Sequence, residues 1–324
     1  MHPILRLSIA GTIALFPALA MAQSAASYPS KPVRVVVSTA PGGGTDIQAR
    51  LFSTKISENL QKQFLVENRT GAGITIGTSF VMKSPPDGYT LLASTPGLTF
   101  AAVTDKNVDY DPLRDFTAIS LVTRAPYLLV VNASVPVTTV REWIAYAKAN
   151  SGKLNSGMVQ GTLTHIAAAW LNEAAGIDVA LIPYKGTGPV LLDLTGGRLQ
   201  AGFGNPLSTL VHVKSGKLRA LATSMNRRSM VLPDLPTVAE ASGIAEYDVN
   251  TGHGWLGPAG VSPAITAKLA AELKRAVNDP RINEQLKDDG GEPVGSTPEE
   301  FRQLLAAEMV RWRNVVAKTR FSMD

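Results

Sequence analysis

Short apolar runs alternate with stretches of helical periodicity along most of the chain, and this alternation predicts an α/β fold with largely parallel sheets. Several helix ends are marked locally: Thr139 stands three positions before Glu142, which is a capping-box spacing, and Gly176 follows a helical pattern. Strands are predicted at 33–38, 64–66, 89–93, 127–131, 179–182, 201–203 and 219–223.

The chain is long enough for two lobes, because about 300 residues exceed what one hydrophobic core usually supports. Apolar stretches at 120–131 and 245–256 predict two crossings between the lobes, with a ligand cleft between them. Three successive helices follow, two of them beginning at Ser262-Pro263 and Thr297-Pro298, and we expect them to cover the first lobe. Lobe 1 is predicted to comprise 23–124 plus 250–324, and lobe 2 to comprise 125–249.

The first 22 residues have the order of a secretory signal peptide. Arg6 precedes an apolar run at 7–19, and Ala20-Met21-Ala22 provides small residues for cleavage. The run is too short to span a bilayer. The sequence contains no cysteine, which excludes a lipid-anchored cysteine and disulfides. We therefore expect a soluble protein in an exported compartment.

The distribution of charge along the chain gives no indication of a nucleic-acid surface. The sequence has 31 Lys and Arg against 26 Asp and Glu, a formal charge of +5 that falls to about +4 without Arg6. Charges of both signs are interspersed, with no run of basic residues typical of a nucleic-acid surface. A modest positive excess is compatible with an anionic ligand.

A glycine-rich loop, Pro41-Gly42-Gly43-Gly44-Thr45-Asp46, lies between a buried strand and a helical pattern. Helix N-termini at the carboxyl ends of strands present unpaired N–H groups, and anions bind there. Thr45 and Asp46 are N-cap candidates, and loop bracing suits Asp46 better than facing an anion. The alternative is a simple tight turn, since glycine adopts positive φ readily. The loop at 67–77 is a second glycine-rich turn, which either packs on the sheet or shapes the cleft wall.

Three further loops of the second lobe supply candidate ligand contacts, and two of them follow the strands predicted at 179–182 and 201–203. In the loop at 161–165, Thr162 or Thr164 is the predicted cap of the helix that carries 166–175, and His165 is either a structural histidine or a ligand contact. Lys185 and Gly186 precede a helix for which Thr187 is the predicted cap, although Lys185 could equally be a solvated lysine. Asn205 follows the strand at 201–203 and can donate and accept hydrogen bonds.

The search for catalytic and metal-binding patterns is mostly negative. The sequence contains no G-x-S-x-G, S-x-x-K or H-E-x-x-H string. The histidines after the leader, His165, His212 and His253, are not spaced as a metal pair on one helical face. We therefore expect neither an enzyme nor a bound metal or cofactor, with a dispersed catalytic triad as the alternative.

Six motifs in fixed order resemble those of the extracytoplasmic solute receptors of tripartite tricarboxylate transporters, the Bug-type receptors. They cover essentially the whole mature chain: PGGGTDIQAR at 41–50, ENRTGAG at 67–73, PDGYTL at 86–91, PYKG at 183–186, SGKLRALA at 215–222 and LPDLPT at 232–237. The resemblance implies a type II periplasmic binding protein whose two α/β lobes close on a small carboxylate. It also implies a two-component membrane permease as partner, and we expect a monomer.

The resemblance and the loop chemistry together give one predicted binding site. It adds Ser94 and Thr95, and it places Thr162 where a serine is usual in the family. The predicted ligand-binding residues are Pro41, Gly42, Gly43, Gly44, Thr45, Asp46, Ser94, Thr95, Thr162, Thr164, His165, Lys185, Gly186 and Asn205.

Asn205 departs from the family, in which many members have an aspartate at this turn. The change removes a negative charge and favours a ligand without a cationic amine, such as a di- or tricarboxylate or an aromatic acid. Two other functions stay open: a sensor that signals to a membrane kinase, and a secreted hydrolase that uses His165 with a nearby hydroxyl.

Overall fold

The structure is a computed structural model, and it describes residues 27–319 apart from positions 40, 72, 73, 96 and 185. The predicted signal peptide at 1–22 and Lys185 lie outside the described residues. The described residues form two mixed α/β lobes, each built on one sheet. The two-lobed α/β fold predicted from the sequence is confirmed.

The sheet of lobe 1 has the strand order β11-β4-β10-β3-β1-β2. Its inner strand β1, between β3 and β2, has four valines, all buried, among its five residues, as expected for a strand covered on both faces. The strands of this sheet are β1 Val33–Val37, β2 Phe64–Asn68, β3 Thr90–Ser94, β4 Phe116–Pro126, β10 Asn250–Pro258 and β11 Glu292–Pro293.

The sheet of lobe 2 has the strand order β7-β6-β8-β5-β9. Apolar side chains of its strands and helices form a core that includes Trp143, Phe203 and Tyr247. Its strands are β5 Leu128–Asn132, β6 Asn155–Val159, β7 Ala180–Tyr184, β8 Ala201–Gly204 and β9 Leu218–Thr223.

Helices connect the strands and cover both sheets, and several begin where local signals predicted. The capping box of Thr139 and the left-handed C-cap at Gly176 are confirmed, as is the Ser262 cap before Pro263. The helices are α1 Gly44–Leu60, α2 Thr75–Met82, α3 Gly97–Thr104, α4 Val140–Ala149, α5 Leu163–Ala175, α6 Thr187–Thr195, α7 Pro206–Lys214, α8 Val238–Ser242, α9 Pro263–Val277, α10 Pro280–Asp288 and α11 Pro298–Thr319.

The prediction of largely parallel sheets is wrong. In each sheet three strands are parallel, β2-β1-β3 and β7-β6-β8, whereas the other pairings are antiparallel. The physical reason is the pair of crossings: β4 and β10 run antiparallel to one another because one leaves lobe 1 and the other returns to it. Strand β6 was not predicted at all.

Ser224 holds the two crossings together. Its hydroxyl accepts a hydrogen bond from the Tyr127 amide at 2.8 Å and donates to the Val249 carbonyl. The Ser224 amide donates to the Tyr127 carbonyl, and its carbonyl accepts from the Val249 amide. In the lobe 1 sheet, β4 ends at Pro126 and β10 begins at Asn250. The lobe boundaries at 124/125 and 249/250 stay a prediction.

The C-terminal helices do not all return to lobe 1 alone. Helices α9 and α10 pack on the lobe 1 core, as expected. Helix α11 places Phe301 and Leu305 in a lobe 1 cluster but Trp312 and Val315 in the lobe 2 core. A third connection therefore runs between the lobes beside the two crossing strands. Within the part of the chain that the structure describes, no helix has the length and apolar character to cross a membrane.

Candidate functional site

The strand register brings the predicted loops to one edge of each sheet. Strands β1 and β3 are parallel, with Val37 beside Ala93, so the loops that follow them lie next to each other. In lobe 2, β6, β7 and β8 are parallel, so the turns after Val159, Tyr184 and Gly204 share the corresponding edge. Carboxyl edges of parallel strands are where α/β sheets bind ligands.

These two edges face one another. A methyl group on Gly44 of lobe 1 would lie 3.8 Å from Asn205 Nδ2 and 3.9 Å from Leu207 Cδ2 of lobe 2. The same point lies 3.8 Å from Nε2 of His253, on crossing strand β10. A small gap lined by both lobes and by a crossing strand thus lies beside Gly44.

In the loop 41–46, the N-cap of α1 is Gly43, so the prediction of Thr45 or Asp46 as the cap is wrong. Pro41, Gly42 and Gly43 are exposed, whereas Thr45 is buried. Gly43 has no side chain that could cap the helix, and the amides of the first turn have no acceptor within the helix. The amides of Gly44 and Thr45 can therefore donate to an anion at the helix N-terminus.

Asp46 braces this loop. Its carboxylate accepts hydrogen bonds from the Gly42 amide at 2.9 Å, from Arg50 Nε at 3.0 Å and from Asn68 Nδ2 at 3.0 Å. Burial opposes ionisation of Asp46, but these hydrogen bonds, with Arg50 first, outweigh it and lower its pKa. The Gly42 amide is thereby committed to Asp46, which fits the predicted bracing role.

Ser94 and Thr95 end strand β3 beside the crossing strand β10. Ser94 pairs with Gly254, the residue after His253. Thr95 accepts a hydrogen bond from the Gly97 amide at 3.2 Å and turns the chain into α3. Both residues thus lie next to the crossing strand β10, with Ser94 largely buried and Thr95 partly exposed.

Thr162 is the N-cap of α5, and its polar groups are bonded locally. Its hydroxyl donates to the Val159 carbonyl at 2.8 Å and accepts from the Thr164 amide at 3.3 Å, while its amide bonds the Val159 carbonyl. The Thr164 hydroxyl accepts from the Val159 amide at 3.2 Å. Capping thus accounts for both threonines.

His165 is buried at the start of α5, and burial lowers its pKa. Its Nδ1 accepts a long hydrogen bond, 3.5 Å, from the Gly161 amide. The neighbouring hydroxyls of Thr162 and Thr164 bond backbone groups, which is the geometry of a cap rather than of an activated nucleophile.

Gly186 is the N-cap of α6, so the prediction of Thr187 as the cap is wrong. The helix begins one residue earlier than predicted, at Thr187. Apart from the chain neighbours of Gly186, no atom lies within 4 Å of the position that a Cβ on this residue would occupy. The first turn of α6 has no side-chain cap, so its amides, like those of α1, are available at the sheet edge.

Asn205 caps α7 through one atom and faces lobe 1 with the other. Its Oδ1 accepts from the Leu207 amide at 3.0 Å, which fixes the orientation of the carboxamide. Its Nδ2 is consequently the group directed at Gly44, so the side chain presents a donor to the gap.

Three buried residues on the lobe 1 side of the gap were missed in the sequence. Thr123 Oγ1 on β4 donates to Gln48 Oε1 at 2.8 Å and lies 3.2 Å from His253 Nδ1. Burial lowers the pKa of His253 to about 4, so the ring is neutral at pH 7. The sequence signal was slight: a lone histidine within an apolar crossing stretch.

A separate groove of about 500 Å³ lies on lobe 2, away from the strand-end loops. Its basic residue, Arg219, already donates to the carbonyls of Val135 and Val137 at 3.2 and 2.7 Å. Apolar side chains line most of the rest, including Leu210, Val213, Leu218, Leu232 and Leu235. The gap at Gly44 therefore suits an anionic ligand better. Among the described residues, no group of three or more His, Asp and Glu side chains is placed to hold a metal ion.

Comparison with known proteins gives consistent matches over nearly the whole chain. A family model described as the tripartite tricarboxylate transporter family receptor matches residues 48–321. BugT of Bordetella pertussis is 33% identical over 316 residues, which cover 97% of this chain and 97% of BugT.

Two solved structures from Rhodopseudomonas palustris are similar to this chain along most of its length. Rpa4515 with adipate has 31% identity and a TM-score of 0.85, covering 91% of this chain and 99% of the other. MatC with bound malate has 30% identity and a TM-score of 0.81, covering 89% of this chain and 100% of the other.

Proposed function

Since this chain belongs to the tripartite tricarboxylate transporter receptor family, we propose that it captures a small carboxylate between its lobes and delivers it to a membrane permease. The proposal places the protein in the periplasm and gives it no catalytic role. The similar structures with adipate and malate support a carboxylate ligand.

The observation that carries the proposal is the uncapped N-terminus of α1 facing a donor of the other lobe. The Nδ2 of Asn205 faces the gap beside Gly44, and the amides of Gly44 and Thr45 lie at the uncapped helix start that borders it. Fixed amides at a helix start attract a carboxylate without the entropy cost of ordering a long cationic side chain. A carboxylate there would accept hydrogen bonds from lobe 1 and lobe 2 together.

Such a ligand would favour the closed arrangement of the lobes. A ligand that touches both edges binds the closed form better than the open form, so its binding shifts the population towards closure. The crossings at Tyr127 and Val249, joined through Ser224, are the segments about which the lobes would rotate. A permease that docks only the closed form would then receive only loaded receptor.

Asn205 indicates the charge of the ligand. Because its oxygen caps α7, its nitrogen must face the gap; an aspartate held in the same way would direct a negatively charged oxygen there. The donor suits a ligand with carboxylates on both sides, and it offers nothing to a cationic amine. We therefore favour di- and tricarboxylates or aromatic acids over amino acids.

The test is calorimetric titration of the mature protein with adipate, malate, succinate, citrate, benzoate and glutamate. We expect one or more of the amine-free acids to bind without being converted, and Asn205→Asp to weaken that binding at least tenfold, which corresponds to about 1.4 kcal/mol. An aspartate retains the cap on the Leu207 amide, so the thermal stability of the variant should stay close to that of the original protein.

The matched control is Asn314→Asp, which adds the same charge at an exposed position of α11 and should leave affinity unchanged. Equal affinity in Asn205→Asp, or no binding of any carboxylate in the panel, would contradict the assigned site. Delivery is tested with membrane vesicles that contain the permease: uptake of the bound acid should require the receptor.

A further inference from the structure

His253 lies where a ligand in the proposed site would meet the crossing strand. The ring is on β10 with only 6% of the residue exposed, and its two nitrogens face different surroundings. Nδ1 lies 3.2 Å from Thr123 Oγ1, on the neighbouring strand β4. Nε2 faces the gap beside Gly44, opposite Asn205 and Leu207 of lobe 2.

The neighbours of Nδ1 determine which nitrogen carries the proton. Thr123 has one hydroxyl hydrogen, and it is donated to Gln48 Oε1 at 2.8 Å. The Thr123 oxygen can therefore only accept from His253, which requires the proton on Nδ1. In the neutral ring the lone pair is then on Nε2 and is directed at the gap. Because burial lowers the pKa of His253 to about 4, the ring stays neutral at pH 7.

The gap thus combines donors with one acceptor. The amides of Gly44 and Thr45 and the Asn205 Nδ2 donate, whereas His253 Nε2 accepts. A carboxylate oxygen opposite Nε2 would place two lone pairs against each other. A hydroxyl group on the ligand would donate to Nε2 and so satisfy a buried acceptor that is otherwise left without a partner when closure excludes water.

We propose that His253 is a specificity-determining residue that selects carboxylates bearing a hydroxyl group, its ring held in the Nδ1–H form by Thr123 and Gln48. The inference rests on the proposed function and names the class of ligand within it. A site built to bond a ligand hydroxyl rejects the analogue that lacks it, because its own polar group would then stay unpaired.

The first measurement compares matched pairs of ligands that differ by one hydroxyl: malate against succinate, and citrate against propane-1,2,3-tricarboxylate. We expect the hydroxylated member of at least one pair to bind tenfold or more tightly. His253→Phe keeps a ring of similar volume without the acceptor and should reduce that preference to about one. The control His212→Phe alters a histidine of α7 near the lobe 2 surface and should leave the preference intact.

A second variant covers the case in which His253→Phe fails to fold. Thr123→Val removes the acceptor of the Nδ1 proton, so the tautomer is no longer fixed and the preference for the hydroxylated ligand should fall. Independently, ring ¹⁵N NMR of the ligand-free protein should give the Nδ1–H tautomer for His253.

The outcomes separate this inference from the proposed function. Equal binding within each pair, a preference that survives His253→Phe, or an Nε2–H tautomer would overturn the role of His253 and leave a carboxylate receptor standing. Failure of these acids and of the wider carboxylate panel to bind would instead remove the proposed function, and the selectivity inference with it.

Discussion

Arg227 of lobe 2 donates to both carboxylate oxygens of Glu292 on β11 of lobe 1, with Nη1–Oε1 at 3.1 Å and Nη2–Oε2 at 2.5 Å. The Glu292 side chain is 3% exposed, and it also accepts from the Met230 amide. Bidentate geometry of this kind is stronger and more directional than a single ion-pair contact. The pair therefore joins the edge of one sheet to the other lobe.

Arg227→Ala should destabilise the protein by about 1–3 kcal/mol, because it leaves a buried carboxylate with only the Met230 amide as partner. The measurement is urea unfolding at pH 7. Arg228→Ala is the matched control: Arg228 pairs with Glu240, both side chains are about half exposed, and such pairs contribute less than about 1 kcal/mol. Equal losses in the two variants would show that the Glu292 pair is not special.

Gly44→Ala should abolish or strongly weaken carboxylate binding while the fold is retained. The new methyl would lie at ordinary contact distances of 3.8–3.9 Å from Asn205, His253 and Leu207, so it fits but fills the gap. Alanine in the first turn of α1 should also stabilise the helix by about 0.5–1 kcal/mol. Binding is measured by calorimetry and stability by thermal unfolding.

The control for this substitution is Gly188→Ala. Gly188 lies in the first turn of α6, is exposed, and has open space where its Cβ would stand. Its substitution should leave binding nearly unchanged. Unchanged affinity in Gly44→Ala would mean that the ligand lies elsewhere.

Asp46→Ala should weaken both the loop and the binding that depends on it. The Gly42 amide and the Asn68 and Arg50 side chains would lose their shared acceptor, which we expect to cost about 1–3 kcal/mol. Because the folded pKa of Asp46 is lowered, its contribution is present above the unfolded pKa and is lost as the pH falls through the folded value. The difference in unfolding free energy between the original protein and the variant should therefore shrink on acidification, as denaturant titrations at several pH values would measure.

Local signals predicted several helix ends, whereas the strand β6 and the true caps Gly43 and Gly186 were not predicted. Thr139 and Gly176 act through groups within a few residues, so sequence spacing suffices to find them. Strand β6, Asn155–Val159, contains few large apolar residues. A Cβ on Gly157 would lie 2.6 Å from Leu199 and 2.7 Å from Val190, so close packing requires glycine at this position. The glycine weakens the apolar pattern from which a strand is predicted.

The candidate site likewise has a part that the sequence predicts and a part that it does not. The loop at Gly44 and the turn at Asn205 each follow a strand within their own segment and could be predicted. The floor could not, because Gln48, Thr123 and His253 come from distant parts of the sequence and meet only where α1, β4 and β10 pack together. A histidine's role depends on what its two nitrogens face, and that is a property of the assembled fold.

A buried acidic residue on α11 makes stability depend on pH near neutrality. Glu308 is 1% exposed, accepts from Thr99 Oγ1 at 3.1 Å and pairs with Arg311 at 3.3 Å. Burial raises the pKa of Glu308 to about 7, although Arg311, Thr99 and Arg124 oppose the shift and Asp248 adds to it. The residue lies on the helix that contributes to both lobe cores.

Glu308→Gln should raise stability at pH 8 and have little effect near pH 4.5. The folded pKa exceeds the unfolded value, so the protonated form is favoured in the native state, and the ionised form destabilises it increasingly as the pH rises from the unfolded pKa through 7. Glutamine keeps an acceptor for Thr99 and leaves Arg311 paired with Asp248. We expect a gain on the order of 2 kcal/mol at pH 8, measured by urea unfolding at both pH values.

Glu300→Gln serves as the control, because hydrogen bonds from Thr297 lower the pKa of the exposed Glu300 and removal of its charge should give no such gain. A loss of stability in Glu308→Gln at pH 8 would mean that the ion pair with Arg311 outweighs the cost of burying the charge.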